Sequence, residues 1–528
     1  MRADEQSNAA PAGEAEGAAY VLLWGDLHRQ TALTCGEGTY EDHVRAARER
    51  YGIDFLAVTD NARLAEDPRL RQFAGARLRE HRHFFPALEA HSLPEGEWDR
   101  LRRFVAEREG EEPIFLLGYE WCSNRYGDRN VYYLEDGPLA LPPDLYALHR
   151  ATAAANPLIV VHHPGYARGR RGADWNHHDP RLERLVEIFS TQHGSSEGLE
   201  EDPAFPLYSR SMGGIAAPSS VQEALLRRLK LGFTGGSDAH RLDQRPGLTG
   251  AYASDRSRRA LWEALRERRT IATTGLKFPL WFEADGHPMG SIVTTDALPE
   301  FRIRLPEEGW ERVELIRNGR AAKVWERSSL TGECAERAGE RQERGENGAG
   351  GTVLLRYVEA DAGSLWPDNY YYARIVLSGN HRAWSSPIWV SYLPDAPFAH
   401  DTLYWLPEER CLFWAEREGG AVRLSVQNAY AAGEGAGGLR APADVTLRDV
   451  RVEVVRPSGR IEHSAHLGDV PEGAGGEACL PVPEGPHYFR LSYLDFFDNR
   501  RCVERHAAVA AGEDAVFRIA ERWKGNER

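Results

Sequence analysis

Six short apolar runs in the first half of the chain are each followed by an imidazole or a carboxylate. Residues 21–24 lead to Asp26 and His28, and residues 55–58 to Asp60 and Asn61. Residues 114–117 lead to Glu120, and residues 158–161 to His162 and His163. Residues 186–189 lead to His193, and residues 231–233 to Asp238 and His240. A seventh, ligand-poor run closes at Thr273-Thr274. Strand-length runs separated by helix-length intervals predict a parallel α/β sheet or barrel, in which chemistry collects at the carboxyl ends of the strands. Donors gathered on one rim predict a metal site.

The spacing within each donor segment supports this. Residues two apart in an extended segment point the same way, so Asp26 with His28, and Asp238 with His240, can each converge on one point. Glu120 follows one of the most apolar runs, where an unpaired carboxylate pays a heavy desolvation cost that a metal would offset. Adjacent His162 and His163 should face opposite ways, so one is expected to ligate and the other to pack or hydrogen-bond. His81, His83, His177 and His178 lie in polar segments and are expected to be solvated or to face substrate.

At 528 residues the chain exceeds one core and predicts several domains. Helix signals continue to about residue 280: Thr39 caps a first helix with Asp42 at its third position, Gly52 ends it, and further helices start near Ser219 and Ser257. Past Pro279 the pattern changes to short alternating strands. Arg312-Val-Glu-Leu-Ile and Arg451-Val-Glu-Val-Val are similar, as are Tyr371-Tyr-Ala-Arg-Ile and His487-Tyr-Phe-Arg-Leu; a duplicated β-unit or independent β-patterning would each produce this. The expected order is a disordered tail over 1–19, an α/β unit over 20–280, and β-sandwiches over 281–398 and 399–528. The run 384–390 is expected to close the first sandwich, and residues 334–351 to form an exposed loop. Trp384, Trp389 and Trp414 fit core positions as well as a binding platform.

A net charge of −15 disfavours nucleic-acid backbone binding as the main activity. It leaves open a small anionic substrate, because a metal and a few arginines reverse the local potential. Six dispersed cysteines predict free thiols, with a Cys479–Cys502 disulfide as the alternative. No apolar stretch reaches membrane-spanning length and no signal pattern opens the chain, so cytoplasmic residence is expected.

Trp24-Gly-Asp-Leu-His-Arg-Gln-Thr31, Phe55-Leu-Ala-Val-Thr-Asp-Asn61, Glu120-Trp121, His162-His-Pro-Gly165, Glu187-Ile-Phe-Ser190 and Gly235-Gly-Ser-Asp-Ala-His240 together resemble the PHP (polymerase and histidinol phosphatase) superfamily, and within it the DUF3604 branch. Arg268-Arg-Thr-Ile-Ala-Thr-Thr-Gly275 and Pro288-Met-Gly-Ser291 extend the match, which covers about residues 20–395. The resemblance implies a distorted (β/α)7 barrel holding up to three metals. It assigns His28, Gln30, Glu120 and Asp238 to the first, Glu120, His163 and His193 to the second, and Cys35, Asn61 and His240 to the third.

Three departures weaken that set. Gln30 and Asn61 stand where the family carries histidines, and Cys35 stands where it carries an aspartate. One or two divalent ions (Mn²⁺, Zn²⁺ or Fe²⁺) are therefore expected. The resemblance implies a metal-dependent hydrolase, in first place a phosphoesterase using a di-metal-activated water on a small phosphoester. His240 is the candidate general acid, and Arg29 and Arg241 are candidate anion clamps. The alternatives are an amide or lactone hydrolase on the same scaffold and a metal-stabilised binding protein. The sandwiches could cover the barrel mouth, bind substrate or form a homodimer surface.

Overall fold

The structure is a computed structural model that describes residues 13–15, 18–62, 93–94, 96–207, 212, 214–330, 343–344, 352–360, 368–392, 411–429, 444–456, 460–495, 498–510 and 515–517. His81, His83, Cys334, the 395–402 boundary and most of the 334–351 loop fall outside them. The expected tail contributes structure at its end: Gly13–Ala15 pairs antiparallel with the start of the first long strand, Ala18–Asp26.

That long strand runs parallel to Phe55–Ala57, which runs parallel to Ile114–Trp121. The next member, Arg129–Tyr133, is antiparallel to both Ile114–Trp121 and Leu158–Val161. Parallel pairing resumes from Leu158–Val161 to Glu183–Ser190 and on to Gly232–Gly236. Leu248–Ala253 then returns antiparallel against the first strand and against Thr270–Thr273. The result is a curled, mixed sheet with helices attached, not seven parallel strands. Connection length explains the reversal at Arg129–Tyr133, since a parallel neighbour needs a crossover of a dozen or more residues and 122–128 is too short for one.

The helices start where the caps predict. Thr39 and Asp42 form a reciprocal capping box on Tyr40–Ala46, and Gly52 ends the following turn in the left-handed conformation at φ 57°. Ser220 caps Val221–Leu226, and Ser257 caps Arg258–Arg266. Among the described residues no helix is long and apolar enough to cross a membrane. Cys35, Cys122, Cys479 and Cys502 are free thiols, so the alternative Cys479–Cys502 disulfide is not formed.

Beyond residue 280, a five-stranded antiparallel sheet is centred on Trp281–Ala284, Glu300–Pro306 and Thr352–Val358. It packs on the strands Trp310–Arg317 and Asp368–Leu377, with the rings of Phe301 and Tyr371 4.2 Å apart in the shared core. A four-stranded sheet that includes Cys411–Glu418 and Ala421–Asn428 packs likewise on Leu447–Val455 and Gly485–Leu494, around Phe413, Val452 and Phe489. The two units share a register: Glu314 stands opposite Arg374 in the first, and Glu453 opposite Arg490 in the second. The two similar sequence pairs therefore occupy equivalent places in equivalent ladders.

The run 384–390 is not one closing strand. Pro387 lacks an N–H and divides it into His381–Ser385, which pairs with Thr270–Thr273 of the curled sheet, and Ile388–Tyr392. Ile292–Thr295 lies parallel to both Ile388–Tyr392 and Arg500–Val509, so backbone hydrogen bonds tie the last β-unit to the first. Trp384 and Trp389 are buried, as core positions require.

Glu197 fastens the curled sheet to the first β-unit. Its buried carboxylate accepts from Tyr372 Oη at 2.6 Å, Trp384 Nε1 at 2.9 Å and Arg374 at 3.1 Å. Removing it would orphan the buried donors of Tyr372 and Trp384 and leave Arg374 with Glu314 alone. Glu197→Ala is therefore expected to lower unfolding free energy by about 3–5 kcal/mol, with Glu197→Gln milder. Chemical denaturation measures this; a loss under about 1 kcal/mol would contradict the fastening role.

Candidate metal centre

The strand ends of the curled sheet bring their donors into one buried cluster. His28 Nδ1 lies 3.0 Å from Glu187 Oε2, while its Nε2 lies 3.3 Å from Glu120 Oε2 and 3.4 Å from Asp238 Oδ1. His193 Nε2 is 2.6 Å from Asp238 Oδ2, and its Nδ1 is 2.7 Å from the Tyr166 hydroxyl, which fixes the ring. The rings of His163 and His193 are 4.3 Å apart, as are those of His28 and His162. The donor atoms of His163, His193 and Asp238 lie within 4.8 Å of one another, as do those of His28, Glu120 and Asp238, and of His28, His162 and Glu187.

Backbone geometry explains the convergence. His163, Arg171 and Asp238 adopt positive φ of 31°, 69° and 47°, conformations that non-glycine residues rarely hold. The turn at His163 swings it onto the same cluster as His162, where an extended segment would have separated them. Gly236 is needed for close approach, because a Cβ there would stand 2.2 Å from Glu187 Oε2 and 3.1 Å from His28 Cβ. Asp26 organises the support: it accepts from the Ser237 hydroxyl at 2.6 Å and from the His28 N–H at 3.1 Å, joining the first strand end to the 237–240 loop.

Electrostatics follow from burial. Burial opposes a proton on His28, yet Asp238, Glu187 and Glu120 outweigh it and raise the imidazole well above its ordinary value. Burial lowers His162 and His163 far below theirs, aided by neighbouring imidazoles and Arg171. Burial pushes Glu187 up, and pushes Asp128 up to about 7 against the pull of Arg171. Asp238 goes the other way: His28 and His193 hold it low despite burial.

Of the residues read from the sequence, His28, Glu120, His163, His193 and Asp238 converge. Gln30 touches the cluster through its amide nitrogen, 2.7 Å from Glu120 Oε2, while its oxygen accepts from Thr34 and the Asn61 N–H. Its oxygen is therefore turned to the protein. His240 sits at the edge, partly exposed, 3.6 Å from Asp238 Oδ1 and 3.5 Å from Cys35 Sγ; burial opposes its proton, but Asp238 and Cys35 raise it to about 10. The Asn61 amide is 3.1 Å from both Cys35 Sγ and Cys122 Sγ, and with its nitrogen toward Glu120 it donates to Oε1 at 2.9 Å. The Arg29 guanidinium is turned to Asp26 and His43, and the exposed Arg241 pairs with Asp243 at 2.9 Å. Neither arginine is among the clustered donors.

The structure adds His162, Glu187, Asp128, Cys122 and Arg171. His162, expected to pack or hydrogen-bond if His163 ligates, packs edge-on against the rings of His28 and His163 and has no hydrogen-bond partner. Glu187 was visible as a lone carboxylate inside the apolar run 185–189, the same signal that marked Glu120. Asp128 and Arg171 lie in loops with no periodicity to flag them. His177 and His178 stay outside the cluster, beside Tyr146 and Glu183.

Both ring nitrogens of His162 and of His163 are buried without a hydrogen-bond partner. Neutral imidazoles in that state cost free energy unless something takes their lone pairs. A divalent cation among carboxylates does so, and the mixed nitrogen and oxygen donors suit Zn²⁺, Mn²⁺ or Fe²⁺. The residues present fit a metal.

No family model matches this chain. Uncharacterized proteins of Chlamydia trachomatis, Chlamydia muridarum and Chlamydia pneumoniae are 24%, 24% and 23% identical over 392, 395 and 399 residues. Each alignment takes in 70% of this chain but 57% of the relative, so the chain spans little more than half the length of the proteins it matches. Among solved structures, a Bacteroides vulgatus two-domain protein containing a predicted PHP-like metal-dependent phosphoesterase is similar at 14% identity and a TM-score of 0.35, covering 74% of this chain and 100% of that one. Fibronectin(III)-like modules of Clostridium thermocellum CbhA are similar at 12% identity and a TM-score of 0.15, covering 42% and 92%. Scores of that size leave the function to be read from the side chains themselves.

Glu120→Gln removes a central charge while keeping the shape, and is expected to reduce bound divalent metal. Elemental analysis of the purified variant checks this; metal content equal to the parent's would remove Glu120 from the ligand set.

Proposed function

We propose that this chain is a metal-dependent hydrolase of PHP type acting on a small phosphoester. The observation that carries the reading is the pair of buried imidazoles, His162 and His163, without hydrogen-bond partners beside the carboxylates of Asp128, Glu187 and Asp238. His28, Glu120, His163, His193 and Asp238 would hold the metal, with Glu187 and His162 beside them. A divalent ion bound there lowers the pKa of water and stabilises charge developing on the electrophile.

The chain's own residues supply the rest. Tyr166 orients His193, and Glu187 orients His28. His240, on the exposed edge beside Asp238, is placed to give a proton to a leaving group. Arg241, on the same exposed loop, is the candidate contact for an anionic substrate, while Arg29 holds Asp26 in place. Residues 20–280 form the hydrolase unit in this proposal, followed by β-units over 281–398 and 399–528, in a cytoplasmic protein. A homodimer surface is one role open to the β-units.

A metal-reconstituted screen of phosphomonoesters, phosphodiesters, amides and lactones tests this, run beside His193→Ala. Phosphate release is expected from the parent and its loss from the variant. Turnover confined to amides or lactones would transfer the assignment to that chemistry. Full metal occupancy with no turnover in any class would favour a binding protein.

A further inference from the structure

In a two-metal centre, Glu120 would bridge two cations. One cation against it already belongs to the chain. Arg171, 9% exposed, places a terminal nitrogen 2.9 Å from Glu120 Oε1 and donates through Nε to Asp128. The other oxygen of Glu120 faces the opposite way, toward His28 Nε2 at 3.3 Å, which in turn faces Asp238. Two donor sets include Asp128, the other partner of Arg171: Asp128 with His162 and His163, and Glu120 with Cys122 and Asp128. The sets containing Asp238 or Glu187 do not include it, although His162 and His163 occur in both groups.

We propose that the Arg171 guanidinium occupies the place of one metal ion. Glu120 then bridges Arg171 and an ion on the Asp238 side, and Asp128 is the counter-ion of the guanidinium, not a ligand. The inference rests on the metal-dependent reading above.

Three observations carry it. First, the loop is shaped to aim this side chain. Arg171 holds φ 69°, and a Cβ on the next residue, Gly172, would stand 1.8 Å from Tyr166 O. Second, a guanidinium does not lose its proton, so Arg171 is a permanent positive charge touching two buried carboxylates. A divalent ion bound to the same two carboxylates would be repelled by it at contact distance. Third, Asn61, with its amide nitrogen toward Glu120, donates to Oε1 at 2.9 Å, so the oxygen that Arg171 contacts already has two donors.

The test uses the full-length chain as parent, Arg171→Met, Arg171→Lys and Asp128→Asn. Each is loaded with excess Zn²⁺, desalted and measured for zinc per chain by elemental analysis and native mass spectrometry. Arg171→Met is expected to hold about one more zinc ion per chain than the parent, because the vacated carboxylates become available. Arg171→Lys and Asp128→Asn are expected to match the parent. A parent that binds zinc with no gain in Arg171→Met overturns this inference and leaves the metal reading intact. Loss of an ion in Asp128→Asn also overturns it, since Asp128 would then be a ligand, and that comparison stands even where Arg171→Met does not fold. A parent that binds no zinc removes both readings.

Discussion

The cost of burying charge in the cleft of the curled sheet governs this structure. Asp26, Glu120, Asp128, Glu187 and Asp238 are each 5% exposed or less, close to four buried imidazoles. Isolated buried carboxylates are costly unless hydrogen-bonded, paired or bound to a cation. Each carboxylate has its own partner here. Asp26 has Arg29 and Ser237, Asp128 and Glu120 share Arg171, Glu187 has His28, and Asp238 has His193. What those contacts leave without a hydrogen bond is the pair His162 and His163, and that remainder defines the centre.

Much of this was legible in the sequence because the fold writes it periodically. Apolar runs ending in Asp, Glu or His locate strand ends, and strand ends locate the donors. The helix starts at Thr39, near Ser219 and at Ser257 were equally readable, the second cap falling one residue on at Ser220, since one side chain suffices to satisfy a helix end. Sheet direction was less so. The antiparallel Arg129–Tyr133 strand opens on Arg and Asn and carries no apolar-run signal, and only the short 122–128 connection shows that it must turn back. His162 and His163 do not face opposite ways, because alternation predicts opposed neighbours and the positive φ at His163 breaks alternation. Arg171 and Asp128 were invisible because loop residues obey no period, and their role exists only through contacts with strands distant in sequence.

The β-units show the same division between local and long-range information. Their repeated pattern was readable, and the Glu314–Arg374 and Glu453–Arg490 registers give it a structural counterpart. The strand Ile292–Thr295, which joins both units through parallel pairing, was not readable. A four-residue Ile-Val-Thr-Thr segment does not announce that it lies between strands almost one hundred and more than two hundred residues away. Through this strand the two β-units are joined, and through the Thr270–Thr273 to His381–Ser385 ladder the first of them is joined to the curled sheet.

The central claim is that the unpartnered imidazoles surround a cation. Crystals of the protein grown with Mn²⁺ or Zn²⁺, with data collected at the metal's absorption edge, test it most directly. The account predicts an anomalous-difference peak among His163, His193 and Asp238, with Glu120 reaching toward it by the oxygen that faces His28. A map with no peak there, in which the ring nitrogens of His162 and His163 bind water, would contradict it.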